Sequence, residues 1–261
     1  MKVISLKSEQ DLILYRKTGK IAGEILTRLI PEVKEGVSTY YLAKLAEKWI
    51  IDDYEAIPSS IGQYGFKFAL CSSVNNVVCH GIPSEKEILK EGDIVNLDIT
   101  VKKHGFVADT SRMYIIGQGF EQAERFSKVT RECLFKGIDQ VKPGNTIGDV
   151  GFCIYKHATR NGYSIVKEYC GHGIGKLMHE EPQVPHYGKK GKGIRFKEGM
   201  VFTIEPMVNQ GSATIKHLAD NWTAITQDGS LSAQWEHTVA VTRNGYEILT
   251  LRDEEKETRK R

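Results

Sequence analysis

The chain has 261 residues, of which 40% are hydrophobic and 26% charged, with a formal net charge of +3. This is ordinary for a soluble globular protein, and the charge is too small to argue for nucleic acid. No signal or transit segment is visible and no apolar stretch is long enough to span a membrane, so the expected location is the cytoplasm.

In chain order, Ser8-Glu9-Gln10-Asp11 reads as a capping box. Behind it Leu14, Ile21, Ala22, Ile25 and Leu29 recur at helical spacing until Pro31 ends the run. Ser38 is placed to cap a second helix with Leu42, Leu45, Ala46 and Trp49 on one face. Residues 68–74 read as a strand, and 94–102 and 105–116 as a hairpin joined at Lys103-His104. A third helix is expected over about 121–141, broken by Pro143-Gly144, and a fourth over about 146–161. The remainder is strand-rich, over 164–169, 200–208, 222–226, 233–242 and 246–251. Asp228-Gly229 and Asn244-Gly245 are turn signals. Residues 254–261 are almost all charged and are expected to form a solvated, frayed tail. Cys71, Cys79, Cys133, Cys153 and Cys170 follow no framework spacing and fit reduced thiols.

The two halves of the chain look alike. Each runs helix, break, helix, strands, with breaks at Val33-Lys34-Glu35-Gly36 and Val141-Lys142-Pro143-Gly144. His80-Gly81-Ile82 then matches His172-Gly173-Ile174, and Lys90-Glu91-Gly92 matches Lys197-Glu198-Gly199. Six residues past the last glycine of each pair stands an acid in an apolar strand, Asp98 and Glu205. Lys-Glu-Gly recurring before strands is the plainer reading. Four matches in one order favour duplication, with two related halves facing a shared cleft. No linker separates them, so residues 1–250 are expected to be one catalytic domain, with halves at about 8–117 and 118–250 and a tail at 251–261.

Alternation puts Val95, Leu97, Ile99 and Val101 on one strand face and Asn96, Asp98 and Thr100 on the other. An acid in so apolar a strand needs a partner. Asp109 lies on the returning strand of the hairpin, and Glu205 and Glu236 stand in two further apolar strands. Four carboxylates in one cleft repel each other unless cations neutralise them, which points to metal. Two ions about 3.5–4 Å apart can share a water and make hydroxide near neutral pH. For any single acid the surface or salt-bridged role is the ordinary one. Cys170-Gly171-His172-Gly173-Ile174-Gly175 is the sharpest local signal, its glycines letting backbone approach a metal closely. His80 sits in a turn after a strand, and His179 heads His179-Glu180-Glu181-Pro182. His104, His157, His186, His217 and His237 have no comparable context and read as structural.

Together, Val78-Cys79-His80-Gly81-Ile82-Pro83, Asn96-Leu97-Asp98-Ile99-Thr100, Asp109-Thr110-Ser111-Arg112-Met113, Gly171-His172-Gly173-Ile174-Gly175, Thr203-Ile204-Glu205-Pro206 and Ser232-Ala233-Gln234-Trp235-Glu236-His237-Thr238 resemble the type I methionine aminopeptidases. The resemblance runs from about residue 8 to 250. It implies the pita-bread fold, an α/β (α+β) architecture of two pseudo-twofold halves with a curved antiparallel sheet and outer helices. It also implies two divalent ions, with Mn, Fe, Co or Zn suiting a site of one His among oxygens. Asp98 would chelate one ion, His172 and Glu205 the other, and Asp109 and Glu236 both. Glu205 would serve as general base, His179 would steady the oxyanion, and His80 would hydrogen-bond near the substrate amide. Phe66, Cys71 and Trp222 fit the methionine pocket. Asn75, Val77 and Ser232 match a monovalent-cation site.

The chain departs from the family pattern at Ser60 and Gln63, where many members carry Cys and Tyr, and at Lys176-Leu177-Met178, which replaces a basic-Gly-Phe run. The implied substrates are N-termini of nascent polypeptides, near the ribosome. No specific nucleic acid or membrane is implied, and a monomer is expected. An Xaa-Pro peptidase on the same fold and a non-catalytic peptide-, RNA- or ribosome-binding homologue are the alternatives.

Overall fold

The computed structural model describes residues 3–118 and 120–258, with Glu257 and Thr258 as backbone only. Arg259, Lys260 and Arg261 of the expected tail lie outside the described residues. No described helix is long and apolar enough to cross a membrane.

Helix α1 (Glu9–Leu29) begins where Ser8 Oγ accepts from Asp11 N and the Asp11 carboxylate accepts from Ser8 N. Ser38 caps α2 (Thr39–Lys48) through Tyr41 N. These helices lie on a four-stranded sheet built from Ile57–Pro58, Leu70–Val74, Ile94–Lys103 and Phe106–Ile115. Val95, Leu97, Ile99 and Val101 are fully buried between helices and sheet. Each such side chain contributes about 1.5–3 kcal/mol, so a one-residue slip of the strand is prohibited. That register holds Asp98 on the opposite face.

The second half repeats the plan. Helices α3 (Glu121–Ile138) and α4 (Ile147–Arg160) bury Phe126, Leu134, Val150 and Ile154 against a five-stranded sheet. Its order is Gly245–Ile248, His237–Thr242, Val201–Ile204, Gly171–Gly173, Glu180–Val184. Alternate residues of its central strands serve different cores. Val201 and Ala240 join the core under α1 and α2, while Phe202, Ile204, Val239 and Val241 join the core under α3 and α4.

Four local features differ from the sequence reading. The hairpin turns at His104-Gly105, one residue later than expected, because both residues adopt positive φ (54° and 83°) as a two-residue turn requires. The strands expected over 200–208 and 233–242 are each broken. Val201–Ile204 and His237–Thr242 pair in the five-stranded sheet, whereas Met207–Asn209 and Ser232–Gln234 pair in a separate three-stranded sheet with Ser164–Ile165. Both strands change sheet together, at Glu205-Pro206 and Trp235-Glu236, and Pro206 has no N–H to continue a ladder. The start of the expected frayed tail is instead helix α5 (Asp253–Thr258), and Glu255 is 2% exposed because it pairs with the buried Arg252. Val77–Cys79, Gly171–Gly173 and Glu180–Val184 are strands that local patterning did not mark.

Candidate active site

One cleft of about 620 Å³ is lined by Asp98, Asp109, His172, Glu205 and Glu236 together with Ser60, Gln63, Phe66, Cys71, His80, His179 and Trp222. Asn75, Val77 and Ser232 do not line it. Asn75 instead bonds Asp93 and Ile94 N through its side chain, and its carbonyl accepts from Ser232 N at 2.9 Å.

The acids reach the cleft by two routes. Asp98 and Asp109 project from the centre of the long hairpin. Asp98 faces Ser111 and Asp109 faces Thr100 across the ladder, so the acids are diagonal neighbours on one face. Thr100 Oγ1 donates to Asp109 Oδ1 at 3.0 Å. Glu205 and Glu236 stand where the strands leave one sheet for another. Thr203 Oγ1 donates to Glu205 Oε1 (2.7 Å) and Gln234 Nε2 to Glu205 Oε2 (3.2 Å), while Glu205 N donates to His186 Nε2 (3.1 Å).

His172 comes from the short strand Gly171–Gly173. Its Nδ1 donates to Gly173 O at 3.0 Å, which leaves the Nε2 lone pair 3.6 Å from Glu205 Oε1 and 3.9 Å from Asp109 Oδ2. The flanking glycines serve the sheet rather than an ion. A Cβ on Gly171 would lie 2.3 Å from Thr203 O, and one on Gly173 would lie 2.1 Å from Glu181 O.

Burial pushes Asp109 up to about 6 and Glu205 up to about 8. Asp98 and Glu236 are held well above the usual carboxylate range by burial and then by neighbouring carboxylates, with the Arg252 guanidinium opposing this at Glu236. Burial, then His179, pushes His172 down to about 4, so its imidazole is neutral at neutral pH. Glu236 Oε2 is buried with no hydrogen-bond partner. Ligand atoms of Asp109, His172 and Glu236 all lie within 4.8 Å of one another. Clustered carboxylates, a neutral imidazole nitrogen and an orphaned oxygen form a donor set that fits divalent metal.

Above the acids the wall is apolar and aromatic. Trp222 stacks on Phe66 at 5.7 Å and stands 5.2 Å from His80. His80 adopts a positive φ of 59°, which turns its ring into the cleft, and burial pushes it down to about 4. Ser60 Oγ is tied to Phe68 O at 2.9 Å. Leu177 is exposed, whereas Met178 lines the cleft. Sequence reasoning missed Tyr64 and Tyr169 among the lining residues, and Thr203, Gln234 and His186 behind Glu205. Thr203 had a usable signal, since it lies two residues before Glu205 on the same strand face. His186 had none.

A family model described as metallopeptidase family M24 matches residues 14–243. The chain is 49% identical over 248 residues to methionine aminopeptidase A of Synechocystis sp., covering 95% of this chain and 98% of that one. It is 46% identical over 252 residues to methionine aminopeptidase of Escherichia coli, covering 97% and 96%. The crystal structure of methionine aminopeptidase from Rickettsia prowazekii superposes with a TM-score of 0.93 at 44% identity, covering 95% of this chain and all of that one. These likenesses favour neither the Xaa-Pro peptidase nor the non-catalytic alternative.

Proposed function

The chain belongs to metallopeptidase family M24, and from that footing we propose that it is a methionyl aminopeptidase, removing the initiator methionine from new polypeptides with a small second residue. The observation that carries this reading is the meeting of four carboxylates and a neutral imidazole below an apolar pocket. Two divalent ions suit the donors: Asp98 would hold one, His172 and Glu205 the other, and Asp109 and Glu236 would serve both. Mn, Fe, Co or Zn fits one nitrogen among oxygens. When bound, the ions supply Lewis acidity and lower the pKa of a water toward neutrality.

The protein's own groups do the rest. Glu205, ionised beside bound cations, would take a proton from the attacking water and return it to the leaving amine. His179 hydrogen-bonds the scissile carbonyl oxygen as charge develops on it, and His80 hydrogen-bonds near the scissile amide. Phe66, Cys71, Trp222 and Met178 enclose the methionine side chain, with Ser60 and Gln63 beside them. Asn75, Val77 and Ser232 are assigned to a monovalent cation. Residues 1–250, together with the docked segment that carries Arg252 and Glu255, act as one catalytic unit, as a monomer in the cytoplasm, on chains emerging near the ribosome.

The test uses chelated enzyme with metal added back. Met is released from Met-Ala-Ser and not from its formylated form, because formylation removes the free α-amine that bound ions would anchor. Equal rates on the two peptides rule that anchoring out, and preferential cleavage of a Pro-containing dipeptide overturns the substrate assignment.

A further inference from the structure

Arg252 lies behind the cleft floor and has no part in the chemistry above, yet it is 2% exposed and well bonded. Its Nη1 donates to Thr110 Oγ1 (3.1 Å) and Ser111 O (3.3 Å), and its Nη2 donates to Glu255 Oε1 (2.9 Å). The Thr110 and Ser111 acceptors are the same groups that join their strand to Glu236. Thr110 Oγ1 donates to Glu236 O at 2.7 Å, and Glu236 N donates to Ser111 O at 3.3 Å. Asp109 is pinned alongside, its N–H donating to Thr238 Oγ1 (3.1 Å) and its carbonyl accepting from it (2.7 Å). One side chain from the C-terminal segment thus braces Thr110 and Ser111, the two residues of the Asp109 strand that bond the Glu236 backbone.

The brace is itself held. Glu255 Oε2 lies 3.1 Å from His237 Nε2, and His237 Nδ1 lies 3.0 Å from Thr250 Oγ1. The guanidinium also stands 5.5 Å from the centre of the Trp235 ring. A buried ion pair carries a desolvation penalty that a well-packed apolar side chain avoids. Filling space alone does not account for an arginine here, whereas holding Thr110 and Ser111 in the geometry that bonds the Glu236 backbone does.

We propose that Arg252 is a positioning residue for the metal-ligating pair. It sets the spacing of Asp109 and Glu236, and Glu255 offsets its charge so that the guanidinium does not repel the ions. This rests on the assignment of those two carboxylates to metal. Wild-type Mn(II) binding is therefore measured first, by calorimetry on the metal-free protein, and a wild type that binds no Mn(II) overturns the ligand assignment and this inference together.

With wild-type binding established, Arg252→Met and Thr110→Val weaken Mn(II) binding by about 10–100-fold. At Mn(II) concentrations that saturate each variant they also lower kcat while KM stays within about threefold, so that the loss reflects ligand spacing and not occupancy. Arg252→Lys restores part of the affinity, and Glu255→Gln weakens it. A drop in melting temperature with unchanged Mn(II) affinity makes the role structural only and overturns the proposal. Tighter Mn(II) binding in Arg252→Met shows a through-space charge effect instead and also overturns it. Should Arg252→Met fail to fold, Thr110→Val and Arg252→Lys decide by the same readings.

Discussion

Asp98 and Asp109 belong to unbroken ten-residue strands, whereas Glu205 and Glu236 stand in gaps where paired strands cross from one sheet to another. The first pair is aimed by pleat and register, which four buried aliphatic residues on the opposite face enforce. The second pair has no ladder at its own positions. Glu205 depends on borrowed donors, namely Thr203, Gln234 and the contact of its N–H with His186. Acids on a regular scaffold are therefore robust to loss of a neighbour. Acids at a sheet corner fail when a supporting side chain is removed.

The sharpest change comes from Glu205 itself. Glu205→Gln keeps the shape and removes the base, and kcat on Met-Ala-Ser drops by about 10²–10⁴-fold. Next come the supports. Thr203→Val combined with Gln234→Leu lowers kcat or metal affinity by about 10–100-fold. Thr100→Val, which removes the equivalent donor to Asp109, costs less than about tenfold, because Asp109 also accepts from the Thr110 backbone. Equal losses in the two halves would break the contrast.

A pH series sharpens it further. The folded carboxyls of Asp109 and Glu205 sit at about 6 and about 8, raised from 3.8 and 4.5. Between those bounds the folded state binds more protons than the unfolded state. The contribution of these two carboxyls is therefore fully present below the unfolded values and is lost as pH rises toward about 8. Above about pH 6.5 the buried histidines are neutral in both states, so thermal melts of chelated protein from about pH 6.5 to about pH 8 should show a falling midpoint, and added divalent metal should flatten the slope. A rising midpoint in the chelated protein contradicts the clustered-acid picture.

The smallest effect belongs to the hairpin tip. Gly105→Ala forces a side chain into positive φ and costs about 1 kcal/mol of stability. Denaturant unfolding measures that loss, and Met release by the folded enzyme stays at the wild-type rate. A substantial loss of activity would mean that Asp109 depends on the turn rather than on the buried strand face.

Much of the first half was legible because its determinants are local. Ser8 and Ser38 cap helices by their own chemistry, and alternation from Val95 to Val101 reports which face holds Asp98. Glu205 and Glu236 were visible as misplaced charges, but the strand breaks beneath them were not, since the flanking residues are apolar throughout. The glycines around His172 were read as room for metal, yet the space they free is taken by Thr203 and Glu181 carbonyls on neighbouring strands. The C-terminal charges read as solvated because nothing near them in sequence reveals a partner. Arg252 meets Thr110 across 142 positions, and no short-range pattern carries that information.

The recess that holds these groups, about 620 Å³ and walled by both halves, receives a loose chain end and not a folded surface. That gives the reaction a deadline. A client protein must present its first residues before they are tied into a helix or strand of its own, or before its amine is acylated. Quick-folding clients whose leading segment docks early leave a brief window, and those that keep it loose leave a long one. Whether a given client keeps its first residue is then a race between two clocks, one of which runs in the client.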